Sequence, residues 1–118
     1  DRFVGRALAL LHERPAEDWT IDALGNQVGL SRSALHQRFV DLIGQPPMQY
    51  LAEWRMQLAS QILRDTQSSI AAVALEVGYD SEAAFVRAFK RLVGMPPATW
   101  RREQLRPTRT PVPALPSA

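Results

Sequence analysis

The chain writes one nine-residue phrase twice: LIGQPPMQY at 42–50 and LVGMPPATW at 92–100. Both copies read Leu, a β-branched residue, Gly, a free position, Pro, Pro, two free positions and a large aromatic. Gly44 and Gly94 suit the left-handed position just past a helix C-terminus. The Pro pair behind each cannot continue that helix but can open the next one. The repetition reaches well beyond the phrase. TIDALGNQVG (20–29) aligns with SIAAVALEVG (69–78) at an offset of 49, and SRSALHQRFVDLIGQPPMQY (31–50) aligns with SEAAFVRAFKRLVGMPPATW (81–100) at an offset of 50. The second copy therefore carries one extra residue in its turn, where Tyr79-Asp80 replaces Leu30. Identities are few, but the apolar positions and the Gly and Ser punctuation coincide, so one supersecondary unit is used twice.

Helical periodicity runs through the whole pattern. Phe3, Val4, Ala7, Leu8, Leu10 and Leu11 form an apolar stripe that stops before Pro15. Asp18 or Thr20 can cap a short helix carrying Ile21, Leu24 and Val28, broken at Gly29. Ser31 caps a third helix with Ala34, Leu35, Phe39, Leu42 and Ile43 inward, and Pro46-Pro47 open a long fourth helix that stops at Asp65-Thr66-Gln67-Ser68. The scheme then recurs: a short helix with Ile70, Val73, Ala74 and Val77, a Ser81-capped helix with Ala84, Phe85, Phe89, Leu92 and Val93 inward, and a last short one opened by Pro96. No strand of alternating period is found. The expectation is an all-α fold of seven helices: two helix-turn-helix subdomains, 1–45 and 67–104, of homeodomain-like three-helix type, joined by a linker helix over 46–66. Residues 105–118, with Pro107, Pro111, Pro113 and Pro116, read as a disordered tail. The small Ala23 and Ala72 are expected to let the paired helices cross closely. The chain begins at Asp1 without Met, which points to a piece of a longer protein.

Composition removes several functions. Without cysteine there is no disulfide, thiolate nucleophile or Cys-ligated zinc. His12 and His36 are the two histidines, on different helices, with no metal-protease or paired-carboxylate spacing around them, and no glycine-rich phosphate loop is present. No enzyme, metal or cofactor is therefore expected. No apolar run approaches the ~18 residues of a membrane span. The net charge of +2 says little, but its distribution says more: residues 1–68 hold seven Lys/Arg against eight Asp/Glu, and residues 69–118 hold seven against four.

In each repeat the longer helix has one core face and one free face. On the first copy the free face carries Ser33, His36, Gln37 and Val40, with Arg32 at its N-terminal end; on the second it carries Ala83, Val86, Arg87 and Lys90, with Glu82 near the N-terminus. A lone helix-turn-helix pattern is weak evidence, but two copies about fifty residues apart joined by one long helix are much more specific. On GLSRSALHQRF, RMQLASQILRDT, SIAAVALEVGYDSEAAFVRAFKRLVGMPP and the trailing Trp100-Arg101, residues 3–103 resemble the C-terminal domain of AraC/XylS-type transcriptional regulators. The second unit is the nearer match. In the first, Gln37-Arg38 stands where that family often has Arg followed by an apolar residue, and Asp41 stands where Lys is frequent.

The resemblance implies sequence-specific binding of double-stranded DNA. It places a DNA-contacting Arg at Arg87, and Arg can bond guanine O6 and N7 together. Arg32, Ser33, His36 and Gln37 are the matching base-contact candidates on the first helix, and Glu82, Ala83 and Val86 on the second. Glu82 could accept from cytosine N4 or simply favour the helix dipole; Ala83 and Val86 could touch thymine methyls. Ser31, Arg38, Ser81, Lys90, Arg91 and Arg101 are the phosphate-contact candidates, which would set register without reading sequence; Ser31 and Ser81 are caps first. Trp19, Trp54 and Trp100 are assigned to packing. The linker helix would be ~28 Å long, and helix-turn-helix dimers place their reading helices ~34 Å apart. One chain could thus do what a dimer usually does, on an asymmetric site. The family further implies an upstream effector-binding or dimerisation domain, contact with RNA polymerase, and a cytoplasmic, nucleoid-associated setting. Two other readings stay open on the residues alone: a helical interaction module that has the fold without DNA binding, and a DNA-binding domain attached to an enzyme.

Overall fold

The computed structural model describes residues 1–106. The tail expected from 105 onward falls mostly outside the described residues; Leu105 itself ends a helix. Seven helices and no strand occur among the described residues: α1 (Arg2–Glu13), α2 (Ile21–Val28), α3 (Arg32–Ile43), α4 (Pro47–Asp65), α5 (Ile70–Glu76), α6 (Glu82–Val93) and α7 (Pro97–Leu105).

The punctuation read from the sequence is the punctuation used. Thr20, Ser31, Ser69 and Ser81 each accept a hydrogen bond from the backbone N–H three residues on, at 3.0–3.2 Å, satisfying one orphan donor of the first turn. Gly44 and Gly94 end α3 and α6 at φ +91° and +104°, a region that L side chains rarely adopt. Pro47 and Pro97 then take the first helical position of α4 and α7, where a missing N–H costs nothing.

Two apolar cores result. Val4, Ala7, Leu10 and Leu11 of α1 meet Leu24, Val28, Leu35, Phe39 and Leu51 in the first. Met56, Ala59 and Leu63 of α4 meet Val73, Ala74, Val77, Phe85, Ala88 and Phe89 in the second. One helix, α4, serves both: Leu51 belongs to the first core and Met56 begins the second. Trp19 is buried with Nε1 donating to the Arg14 carbonyl at 2.9 Å, and Trp100 packs edge-on against Phe89.

Two packing expectations need correction. The close approach within each helix pair does not fall at Ala23 and Ala72, which are half-buried and exposed. In the first pair the tight position is two residues later, at Gly25, where an added Cβ would stand 2.6 Å from the Leu30 carbonyl oxygen; in the second, Ala74 holds the matching position and is buried. Leu42 and Leu92 do not point fully inward either: they are 56% and 37% exposed. Both lie in the last turn of their helices, where the Gly-x-Pro-Pro turn leads the chain away and leaves that side uncovered.

Candidate nucleic-acid interface

Because Leu35 and Phe39 anchor α3, and Phe85, Ala88 and Phe89 anchor α6, the opposite face of each helix is left to solvent. Ser33, His36 and Gln37 are exposed on α3, with Val40 half-buried beside them; Glu82, Ala83, Arg87 and Lys90 are exposed on α6, with Val86 half-buried. The free faces expected from the 3.6-residue period are therefore both present. Arg32, Ser33, His36 and Gln37 also share one shallow concavity with Ile21 at the start of α2.

The two faces differ in how occupied they are. On α3 three of the polar side chains already have partners: Arg32 pairs with Asp22 at 3.8 Å, Gln37 donates to Asp41 at 2.8 Å, and Arg38 meets Asp1 at 3.2 Å while lying over the Phe3 ring. These contacts are exposed, so each is worth little and is cheap to exchange for another anion. On α6, Arg87, Lys90 and Arg91 are exposed and make no ion pair among the described residues. That leaves a compact, unneutralised positive surface on one helix. Ser31 and Ser81 are caps, as read; each hydroxyl oxygen accepts from a backbone N–H, and its own O–H stays free to donate outward.

Arg101 requires a correction. Its Nε donates to the Leu63 carbonyl at 2.9 Å and its Nη1 to the Ser68 carbonyl at 2.6 Å, and Nη2 is buried without a partner. The side chain is folded back onto the end of α4, so its guanidinium is not presented to a phosphate. A second arginine, Arg55, which no sequence pattern marks out, acts comparably: Nε donates to the Pro15 carbonyl at 2.8 Å and Nη2 to the Glu17 carbonyl at 2.9 Å. Burial lowers its pKa from the ordinary arginine value, against the opposing pull of Tyr79, Asp18 and Asp80. Backbone carbonyls forty or so residues away leave no mark in a sequence, so neither clasp had a signal to find.

Against the first two turns of α4, His12 Nε2 lies 2.6 Å from the Tyr50 hydroxyl, and its ring packs against Trp54. His12 is exposed, Tyr50 and Trp54 are half-buried, and no carboxylate is bonded to the His12–Tyr50 pair among the described residues. Among the described residues no cluster of His, Cys, Asp or Glu could hold a metal, and no helix is long and apolar enough to cross a membrane.

Two three-helix units hung on a shared helix, each with a Ser-capped helix whose outer face is polar or basic, define a double helix-turn-helix DNA-binding domain. A sequence profile described as a helix-turn-helix domain matches residues 24–103. An AraC-like transcription regulator of Streptomyces lividans is 43% identical over 107 residues, covering 91% of this chain and 35% of that protein. Among solved structures, the C-terminal domain of AraT, a response regulator from Geobacillus stearothermophilus, superposes with a TM-score of 0.88 at 26% identity, over 93% of this chain and 92% of that one. The DNA-binding domain of AdpA, a global transcriptional factor solved in complex with a target DNA, gives a TM-score of 0.81 at 28% identity over 85% and 90%. The chain belongs to the AraC-type family of helix-turn-helix transcription regulators. It spans about a third of the length of the curated relatives it matches.

Proposed function

We propose that this chain is the sequence-reading C-terminal domain of a transcription regulator, with α1–α3 and α5–α7 acting as two reading units on one face of double-stranded DNA. Each unit sets its longer helix, α3 or α6, into the major groove, and the two helices occupy successive groove segments of an asymmetric site. The observation that carries this is the free face of α6, where Arg87, Lys90 and Arg91 stand exposed without an acidic partner among the described residues. Arg87 reads guanine; Glu82, Ala83 and Val86 line the same approach. Arg32, Ser33, His36 and Gln37 read the other block, Arg32 and Gln37 after exchanging their present exposed partners for base edges. Arg38, Lys90, Arg91 and the hydroxyls of Ser31 and Ser81 meet phosphates and set register.

The same reading assigns an upstream effector-binding or dimerisation domain to the whole protein, contact with RNA polymerase at the promoter, and work in the cytoplasm. The relatives support it by their length and by being regulators.

The test is selection from a random double-stranded library at two salt concentrations. Two short blocks about ten base pairs apart, different in sequence, are expected. One block alone would reduce the first unit to a positioning device. No retention even at low salt would overturn DNA binding by this chain and favour an interaction module.

A further inference from the structure

The two cores share no buried residue, and α4 crosses from one to the other between Leu51 and Met56. Arg55 stands at that crossing. Its guanidinium holds the α1–α2 loop through the Pro15 and Glu17 carbonyls, and the same group lies 5.5 Å from the centroid of the Tyr79 ring. Tyr79 belongs to the turn between α5 and α6, so one side chain touches both halves of the molecule. The backbone agrees. A Cβ built on Gly78 would come within 2.9 Å of both the Ala16 Cα and the Arg55 Nη2. Here the loop of the first half and the turn of the second meet directly at Ala16 and Gly78, with the Arg55 guanidinium packed beside the contact. Gly78 also sits at φ +104°, so a side chain there would be strained as well as crowded.

We propose that Arg55 is a positioning residue that fixes the spacing and rotational phase of α3 relative to α6, and so selects the separation between the two blocks of the operator. This rests on the two-headed DNA reading above. A helix the length of α4 bends gently along its course, and each three-helix unit is otherwise attached to it through its own core. The Arg55 junction is the cross-brace that stops one unit rolling about α4 relative to the other. Arginine suits the task because its planar fork holds two carbonyls while its face stacks on an aromatic ring; an ammonium does only one of these well. Phase matters because adding one base pair rotates the second block by ~35° about the DNA axis and moves it ~3.4 Å along it.

The test uses two readouts on Arg55→Met, which keeps an apolar stem against Tyr79 but drops both carbonyl bonds. The chain has no cysteine, so spin labels can be placed cleanly at Asn26→Cys on α2 and Glu76→Cys on α5, both exposed and away from the proposed contacts. The inter-label distance distribution is expected to be narrow in the unaltered chain and clearly broader in the variant. Affinity is then measured on the selected operator with one or two base pairs added or removed between its blocks. Each change should cost the unaltered chain ~10-fold or more and the variant less than ~3-fold. Arg55→Lys, which keeps the charge and one donor, is read in the same way and should fall between, and it serves if the Met variant does not fold. An unchanged distance distribution, or a uniform loss at every spacing, would overturn the assignment, since a merely stabilising arginine predicts that pattern. Should the unaltered chain show no spacing preference, the two-headed reading fails, and the label distances still decide what Arg55 does to the junction.

Discussion

Gly25 lies under the carbonyl of Leu30 so closely that a methyl group on it would sit 2.6 Å from that oxygen. The Leu30 N–H in turn bonds back to the Gly25 carbonyl at 3.0 Å, so the turn between α2 and α3 closes directly over the glycine. The obstacle is backbone and cannot swing aside. Gly25→Ala is therefore expected to destabilise the chain by ~1–3 kcal/mol, read as a lowered denaturant midpoint with an unchanged slope. A stability equal to that of the unaltered chain would mean the turn relaxes freely, and the account of the crossing would be wrong.

The second repeat solves the same crossing differently. Ala74 stands at the position of Gly25, is fully buried, and its carbonyl accepts from the Tyr79 N–H at 2.9 Å in the same six-residue closure. What differs is one more residue, Asp80, before the cap of α6. The longer turn is expected to carry the chain clear of the alanine methyl. Deleting Asp80 should restore the conflict, and combining that deletion with Ala74→Gly should recover part of the loss. The coupling in such a cycle is expected to be ~0.5–3 kcal/mol; strict additivity would show that turn length and residue size are unrelated here.

Arg101 ties α7 to the end of α4 through the Leu63 and Ser68 carbonyls. Arg101→Ala leaves both carbonyls with only water as partner and should lower stability by ~1.5–3 kcal/mol. If Arg101 were instead a phosphate contact, the variant would keep its stability and lose about one counterion's worth of salt dependence in DNA binding. Urea unfolding and a salt titration of binding on one preparation separate the two. The expectation is a stability loss with the salt slope intact.

Ser81 allows capping and phosphate binding to be separated. Ser81→Ala removes the cap bond to the Ala84 N–H and is expected to cost ~1 kcal/mol of stability. Ser81→Asp keeps a capping oxygen and favours the N-terminal dipole, so the fold should be retained. Beside a phosphate, however, the carboxylate repels. DNA binding by Ser81→Asp should therefore fall below that of Ser81→Ala although the protein is the more stable of the two. The reverse order would remove Ser81 from the phosphate contacts.

How much of this was readable depended on the kind of contact. Helix ends were legible because caps and Gly-x-Pro-Pro turns are local chemistry, written within four residues of where they act. The free faces of α3 and α6 were legible because period alone separates Phe85 and Phe89 from Arg87 and Lys90. Size alone does not separate Ala23 from Gly25, since both residues are small, and only the backbone path shows which one lies under the Leu30 carbonyl. Leu42 was placed inward by its period, although the chain turns away before anything covers it. Arg55 and Arg101 were illegible for a deeper reason. Their acceptors are main-chain carbonyls, which every residue carries, so no side chain elsewhere betrays the pairing.

Arg87 is the sharpest probe of the proposed reading. Its side chain is exposed on α6, one turn from Lys90, with no acidic partner among the described residues. A base-contacting arginine and a phosphate-contacting one both lose affinity on truncation, so affinity for one site cannot tell them apart. The difference lies in what is lost. Arg87→Ala is expected to weaken the selected site by ~1–3 kcal/mol while binding to random DNA changes far less, and to relax preference at a single guanine. An equal loss on selected and random DNA, with a salt slope smaller by about one, would make Arg87 a phosphate contact. Base recognition by the second unit would then have to come from Glu82, Ala83 and Val86, which offer one acceptor and two apolar contacts and no donor for guanine.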